Sequence, residues 1–300
     1  MGILQILKKT VLVYKNNFGK MYLPLLAFQL VVLLPMLFFT MPGTVNAARA
    51  LLKTLTMISK TGSGITSVFY VIAFMLLALL FVSPLVVSNT VYIVDKDYQC
   101  KTVTFRESFR FSRSNYKQML SSYFAGIAGL IPVAAVVLLL LFPVAQVDFY
   151  ALSPGDIVLI VACVILLLLY ILGTAFVPYA VVSEDKKGFG ALGASFRYIY
   201  KGNFWSNLSR LAVAVLIIGA LMMLINWLAQ LPFAELFDLY LVDPAAALQE
   251  PLMALAIVLA LAAIFLVSLI MPFWYAFSFN AYKSALAEYQ KKIETNRKEV

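Results

Sequence analysis

The run Thr104-Phe105-Arg106-Glu107-Ser108-Phe109-Arg110-Phe111-Ser112-Arg113-Ser114-Asn115-Tyr116-Lys117 leads into a stretch, 118–147, that has no charged side chain. Crossing the hydrocarbon of a bilayer takes about 20 apolar residues as a helix. Inside it every backbone group must be bonded within the segment or in a closed barrel. A barrel strand alternates in polarity, and Val136-Val137-Leu138-Leu139-Leu140-Leu141 does not. The stretch therefore reads as a transmembrane helix entered through a basic, aromatic lead-in. Within the lead-in, Phe105, Phe109, Tyr116 and Leu120 form an apolar stripe at helical spacing. Arg106, Arg110, Arg113 and Lys117 form a basic stripe beside it, and Thr104 with Glu107 three residues on reads as a capping box.

Working outward, five more charge-free stretches have spanning length: 21–48, 61–94, 157–183, 211–234 and 251–282. The whole chain is 63% hydrophobic and 12% charged, which excludes an ordinary water-soluble domain and a disordered one. It has no histidine, which removes His-based acid–base chemistry, His–metal sites and Ser-His-Asp triads. Cys100 lies in a charged loop and Cys163 in an apolar run, so no disulfide between them and no zinc site is expected. All lysines and arginines except Arg49, Lys53 and Lys60 fall in the N-terminal segment, 95–117, 184–210 or the C-terminal segment. The opposite loops carry the acids Asp148, Asp156, Glu235, Asp238, Asp243 and Glu250. Basic residues mark the cytoplasmic side, so six spans with both termini cytoplasmic are expected. The net charge of +9 is then a matter of topology, not of nucleic-acid binding.

Three segments resemble one another: Thr10 to Phe18, Ser108 to Tyr116 and Ser195 to Phe204. Each holds a small hydroxyl residue, an aromatic-rich run, a basic residue and an Asn followed by an aromatic, so Asn17, Asn115 and Asn203 align. The third is one residue longer. A second marker keeps step, since Pro84, Pro178 and Pro272 are spaced 94 residues apart both times. The expected fold is thus all-α, one polytopic membrane domain over 1–300. It holds six transmembrane helices in three parallel two-helix repeats (1–98, 99–187 and 188–283) and a cytoplasmic tail, 284–300. Each repeat begins with an amphipathic cytoplasmic helix lying in the interface. In the first, Ile3, Leu7, Val11, Tyr14 and Phe18 make the apolar stripe; in the third, Phe189, Leu192, Phe196 and Ile199 do, with Arg197 and Lys201 beside them.

These helices set the expected site. Arg106, Arg110, Arg113, Lys117, Arg197 and Lys201 are candidates for anionic lipid headgroups, each contributing about 1 kcal/mol near such a surface. The competing reading makes the helices elbows that only orient the spans. Pro84, Pro178 and Pro272 are candidate kinks. Asn89, Asn226, Gln230 and Asn280 are the notable intramembrane polar residues, read first as interhelical glue and second as lining for a solute. Ala125 and Gly129 form a small-xxx-small pair that lets helices approach. No span holds an acid or base of the kind that marks ion pathways, and no catalytic constellation, cofactor motif or metal-ligand set is present.

The stretches Val177 to Glu184, Gly190 to Phe196 and Lys201 to Phe204 resemble a family of uncharacterised six-span bacterial inner-membrane proteins. That family is related to the membrane domain attached to some glycerophosphodiester phosphodiesterases. The resemblance implies a six-helix membrane domain in the bacterial cytoplasmic membrane; the hydrolytic domain is missing from this chain, so its activity does not carry over. Threefold repetition with in-step prolines also resembles mitochondrial solute carriers, but there the proline is closely followed by an acid and then a base. The residues directly after Pro84, Pro178 and Pro272 are uncharged. The expected function is a non-catalytic membrane scaffold or lipid-interacting accessory protein, with a transporter or flippase of a lipid or small solute as the alternative. Membrane lipid is the expected partner, and the tail offers a contact for a protein at the cytoplasmic face.

Overall fold

A computed structural model describes residues 2–54, 73, 76–141, 153–242 and 251–298, and within them the side chains other than those of 32–54, 226, 228–242, 251–257 and 260. All secondary structure among these residues is helical: α1 (Ile3–Thr54), α2 (Ser83–Tyr98), α3 (Phe105–Ser114), α4 (Tyr116–Leu141), α5 (Pro154–Thr174), α6 (Val177–Glu184), α7 (Phe189–Phe196), a π-helical turn (Arg197–Lys201), α8 (Phe204–Val242) and α9 (Pro251–Lys298). Five segments among the described residues are long and apolar enough to cross a membrane: Leu76–Tyr98, Tyr116–Leu141, Pro154–Glu184, Phe204–Ile225 and Leu261–Lys298. The chain is accordingly a multi-pass membrane protein. The remaining expected span, 21–48, lies within α1, and most of its side chains fall outside the described residues, as do Arg49, Lys53, Lys60 and all the loop acids except Asp156.

The first lead-in departs from expectation. It is no separate surface helix, because α1 runs unbroken for 52 residues, more than twice what the hydrocarbon requires. Nor is its buried face the stripe Ile3, Leu7, Val11, Tyr14 and Phe18; Val11 is 55% exposed. The buried face is Ile6, Thr10, Val13, Asn17, Met21, Leu25 and Gln29, one row at steps of three and four. The reason lies in its neighbours. α1 is wedged between α2 and α9, and its polar side chains pair with theirs. Asn17 Nδ2 donates to Asp97 Oδ1 at 2.7 Å, Asn280 Nδ2 to Thr10 Oγ1 at 3.3 Å, and Ser268 Oγ to Gln29 Oε1 at 3.1 Å.

The three prolines sit where helices are broken or weakened. Pro84 and Pro178 each occupy the first turn of a helix, α2 and α6, where a missing N–H costs nothing. The chain turns just before them, at Val82 and at Ala175–Phe176. Pro272 lies inside α9, which continues through it. Near each proline a carbonyl is met by a hydroxyl from a lead-in segment. Tyr116 donates to the carbonyl of Phe81 at 2.9 Å, Ser195 to that of Gly173 at 2.5 Å and Tyr14 to that of Leu269 at 3.0 Å. Ser195 also accepts from the Phe176 N–H at 3.0 Å, so one buried side chain holds both sides of the α5–α6 break. Thr10, Ser108 and Ser195, the hydroxyl residues that open the three similar segments, are all 0% exposed.

The extra residue of the third segment has a structural counterpart. Where the first two segments are α-helical, the third contains the π turn Arg197–Lys201, the usual form in which a helix absorbs a widened turn. Asn207, fully buried, donates to the turn's carbonyls of Tyr198 at 3.0 Å and Ile199 at 3.5 Å.

Burial is concentrated where the lead-ins gather. Val87, Val91 and Val94 of α2, Tyr179 and Ala180 of α6, Ala276, Phe279 and Tyr282 of α9 and Ile199 of the π turn belong to one cluster. Away from it α4 and α5 present apolar side chains outward: the most apolar window of each is only 11% buried. In lipid that exposure carries no hydrophobic cost. α4 and α5 meet at Gly129, where an added Cβ would lie 2.6 Å from the Tyr170 hydroxyl, and beside it Ala125 is buried. Tyr170 in turn donates to the carbonyl of Gly126.

Candidate interfacial site and the polar hub beneath it

α3 is the most strongly amphipathic element, and its start is as expected: Glu107 N–H donates to Thr104 Oγ1 at 3.3 Å and Thr104 N–H to Glu107 Oε2 at 2.8 Å. Hydrogen bonds from the Thr104 backbone and hydroxyl hold the exposed Glu107 carboxyl below its ordinary range. The face that packs inward is not the phenylalanine stripe. Ser108 and Ser112 are 0% exposed, and Phe111 stacks on Tyr92 of α2 with centroids 3.9 Å apart. Phe105 and Phe109 are 48% and 44% exposed and stack on each other. Arg106, Arg110, Arg113 and Lys117 are exposed beside them. α3 therefore offers an outer surface of aromatic rings flanked by cations, while small hydroxyl residues let its other side lie close to α2.

The remaining candidates lie on other elements. Arg197 is exposed, its Nε donating to the Gly193 carbonyl at 3.3 Å, and Lys201 ends the π turn, also exposed. Asn115 closes α3, and Asn203 caps α8 by accepting from the Ser206 N–H at 3.2 Å. Asn280 is buried, and its amide donates to Thr10 and to the Ala276 carbonyl at 3.0 Å. Asn89 is 1% exposed and finds no partner for either side-chain atom among the described residues; neither does the hydroxyl of fully buried Ser88. The side chains of Asn226 and Gln230 fall outside the described residues. Cys100 and Cys163 are free thiols. Among the described residues no three His, Cys, Asp or Glu side chains are grouped to hold a metal ion.

Sequence reasoning missed the polar hub between the lead-ins. Asp95, at the end of α2, pairs with Lys283 of α9 at 3.1 Å and accepts from Ser183 of α6 at 2.9 Å. Lys283 also lies over the rings of Phe279, Tyr282 and Tyr98, 5.0 to 5.8 Å from their centroids, an attraction that strengthens as water is removed. Glu184, the last residue of α6, accepts from the hydroxyls of Tyr282 and, at 2.6 Å, Tyr198, and pairs with Lys186 at 2.7 Å. Asp185 between them adopts a left-handed φ of 54°, which turns Lys186 back toward Glu184. Burial opposes the Lys186 charge, but its bonds to Glu184 and Tyr198 win and raise its pKa above the ordinary lysine value. Burial and the Glu184 bond push the Tyr198 hydroxyl up. A third cluster joins Glu288 of α9 to buried Arg210 of α8 at 2.5 Å, and Arg210 to Asn207 at 3.1 Å.

No family model, curated protein or solved structure matches this chain.

Proposed function

We propose that the chain is a non-catalytic scaffold or accessory protein of the bacterial cytoplasmic membrane that holds anionic lipid at its cytoplasmic elbows. In this reading six spans form three two-helix units facing the same way, with both termini cytoplasmic. The observation that carries the lipid reading is the outward aromatic–basic surface of α3. Two exposed phenylalanines suit headgroup depth, and the adjacent arginines suit phosphate. The threefold reading is supported by the order of contacts. α3 rests on α2, α7 on α6, and α1 on α9, so each lead-in covers the second span of the unit before it and the first covers that of the last. The hydroxyls of Tyr116, Ser195 and Tyr14 follow the same cycle.

The test is lipid retention. Purified protein carrying R106Q, R110Q, R113Q and K117Q should keep anionic phospholipid less well in native mass spectrometry than the unaltered chain, by roughly 1 kcal/mol per charge removed. Equal retention would reject the elbow site.

Transport is a second reading, favoured by one observation: Ser88 and Asn89 are buried without partners among the described residues. Such groups cost about 1–3 kcal/mol each unless water or a solute meets them. Asn89→Leu discriminates. A scaffold should gain stability from it, read as a higher melting temperature with localisation intact. A conduit should fill with water and lose flux of its solute when Asn89 is replaced.

A further inference from the structure

The third elbow holds a hollow. Two adjoining cavities, about 470 and 610 Å³, lie between the π turn, the start of α8 and the last turns of α9, and share Tyr200, Lys292 and Asn296. Lys201 lines the first; Lys291, Asn203 and Trp205 line the second. We propose that this trough binds a phosphate group, and that the phosphate belongs to the headgroup of an anionic phospholipid in the surrounding leaflet. The inference rests on the lipid reading of the chain but names a different site from the α3 surface.

Three arguments support it. The first is charge: among the described residues no carboxylate lies within ion-pair reach of Lys201, Lys291 or Lys292, and Lys292 Nζ reaches only the Lys201 carbonyl, at 3.3 Å. Glu288 also lines the larger cavity; Arg210 holds its Oε1 at 2.5 Å, and its buried Oε2 has no partner among the described residues, so the anion is expected on the Lys201–Lys292 side of the trough. Lys292 lines both cavities and Lys201 and Lys291 line one each, so the trough gathers like charges whose repulsion an anion would offset. The second is depth. The trough opens where the apolar span Phe204–Ile225 begins, and Trp205 stands there 75% exposed, as aromatic residues do at a membrane–water boundary. The third is continuity with an acyl-chain surface: from the trough α8 runs on with Val215, Leu216 and Ile217 exposed. The site is also built to stay in place. Glu288, Arg210 and Asn207 form a chain of bonds that ties α9 to the carbonyls of the π turn. At Gly202, between that turn and α8, an added Cβ would lie 2.5 Å from the Tyr198 carbonyl oxygen, so the chain bends where only glycine fits.

The test uses full-length protein with W227F and W274F, leaving Trp205 as the sole tryptophan. It is placed in nanodiscs of phosphatidylcholine with or without phosphatidylglycerol. Phosphatidylglycerol should change Trp205 emission and be retained in native mass spectrometry. K201Q/K291Q/K292Q should weaken that binding by on the order of a hundredfold, while the corresponding arginine triple variant should keep most of it. Inorganic phosphate titrated into phosphatidylcholine nanodiscs separates the sources. Weak or no response supports the lipid, whereas a response to phosphate with none to phosphatidylglycerol overturns the lipid assignment. An unchanged phosphatidylglycerol response in the lysine variant overturns the site. R106Q/R110Q/R113Q/K117Q should leave the Trp205 response intact while lowering total lipid retention, so failure at the trough and failure at α3 are read separately.

Discussion

Asp95→Ala should cost about 3–5 kcal/mol of stability, the loss typical of a buried ion pair stripped of one partner. The side chains of Asp95 and Lys283 are 7% and 19% exposed. Removing the carboxylate leaves the ammonium shut among Phe279, Tyr282 and Tyr98, and the rings cannot replace a full negative charge. The Ser183 hydroxyl loses its acceptor as well. The largest part of the effect is one of pairing, so it should reverse in part: Asp95→Leu combined with Lys283→Met removes both charges together and should restore most of the melting temperature in detergent, short of the share held by the Ser183 and Gln99 hydrogen bonds. If the double replacement is as unstable as Asp95→Ala, the hub is held by something other than this pair. Because α2, α6 and α9 meet at Asp95, its loss should also raise protease sensitivity at the ends of all three helices.

Glu184→Ala is the second large effect expected, about 3 kcal/mol. One carboxylate accepts from two tyrosines, and the residues Tyr282 and Tyr198 are 0% and 4% exposed. Leaving a buried hydroxyl without its acceptor costs about 1–3 kcal/mol; Tyr282 and Tyr198 both lose theirs, although the Tyr198 oxygen still accepts from Lys186 at 2.7 Å. Tyr198→Phe with Tyr282→Phe in the same chain should recover much of the loss, because apolar rings of the same shape need no acceptor. A pH signature accompanies it. Lys186 has a pKa raised in the folded protein, so its contribution is complete below the ordinary lysine value and fades as pH climbs through the raised one. That alkaline decline should be visible in melting curves of the unaltered chain and shallower in Glu184→Ala, where Tyr198 still contributes through its burial; an identical decline in both would assign it to another group.

The helices were legible in the sequence because charge is so costly in lipid that its absence over 118–147 or 157–183 leaves few alternatives. Thr104 and Glu107 announced the start of α3 for an equally local reason: both halves of the box lie within four residues. Which way a helix faces was not legible. In a soluble protein Phe105 and Phe109 would point inward and Ser108 and Ser112 outward; here the order is reversed. Lipid is as apolar as phenylalanine, so the protein-facing side is marked by small and hydroxyl residues that permit close approach. The same rule explains α1, whose buried row carries Thr10, Asn17 and Gln29. The hub was hidden for a further reason. Asp95, Glu184 and Lys283 stand at the edges of charge-free stretches, where a linear reading counts them toward topology. Nothing local announces that residues so far apart in the chain will touch.

The π turn at Arg197–Lys201 also bears on the proposed threefold repeat. A helix that gains a residue normally rotates everything downstream by a quarter turn or more, which would aim α8 at the wrong neighbour. Taking up the surplus within a single wide turn, pinned by Asn207, confines the disturbance to the elbow. If the proposed repeat holds, a bend can change in this way while its span keeps its direction, and it is at this lengthened bend that the lysine-lined hollow is found.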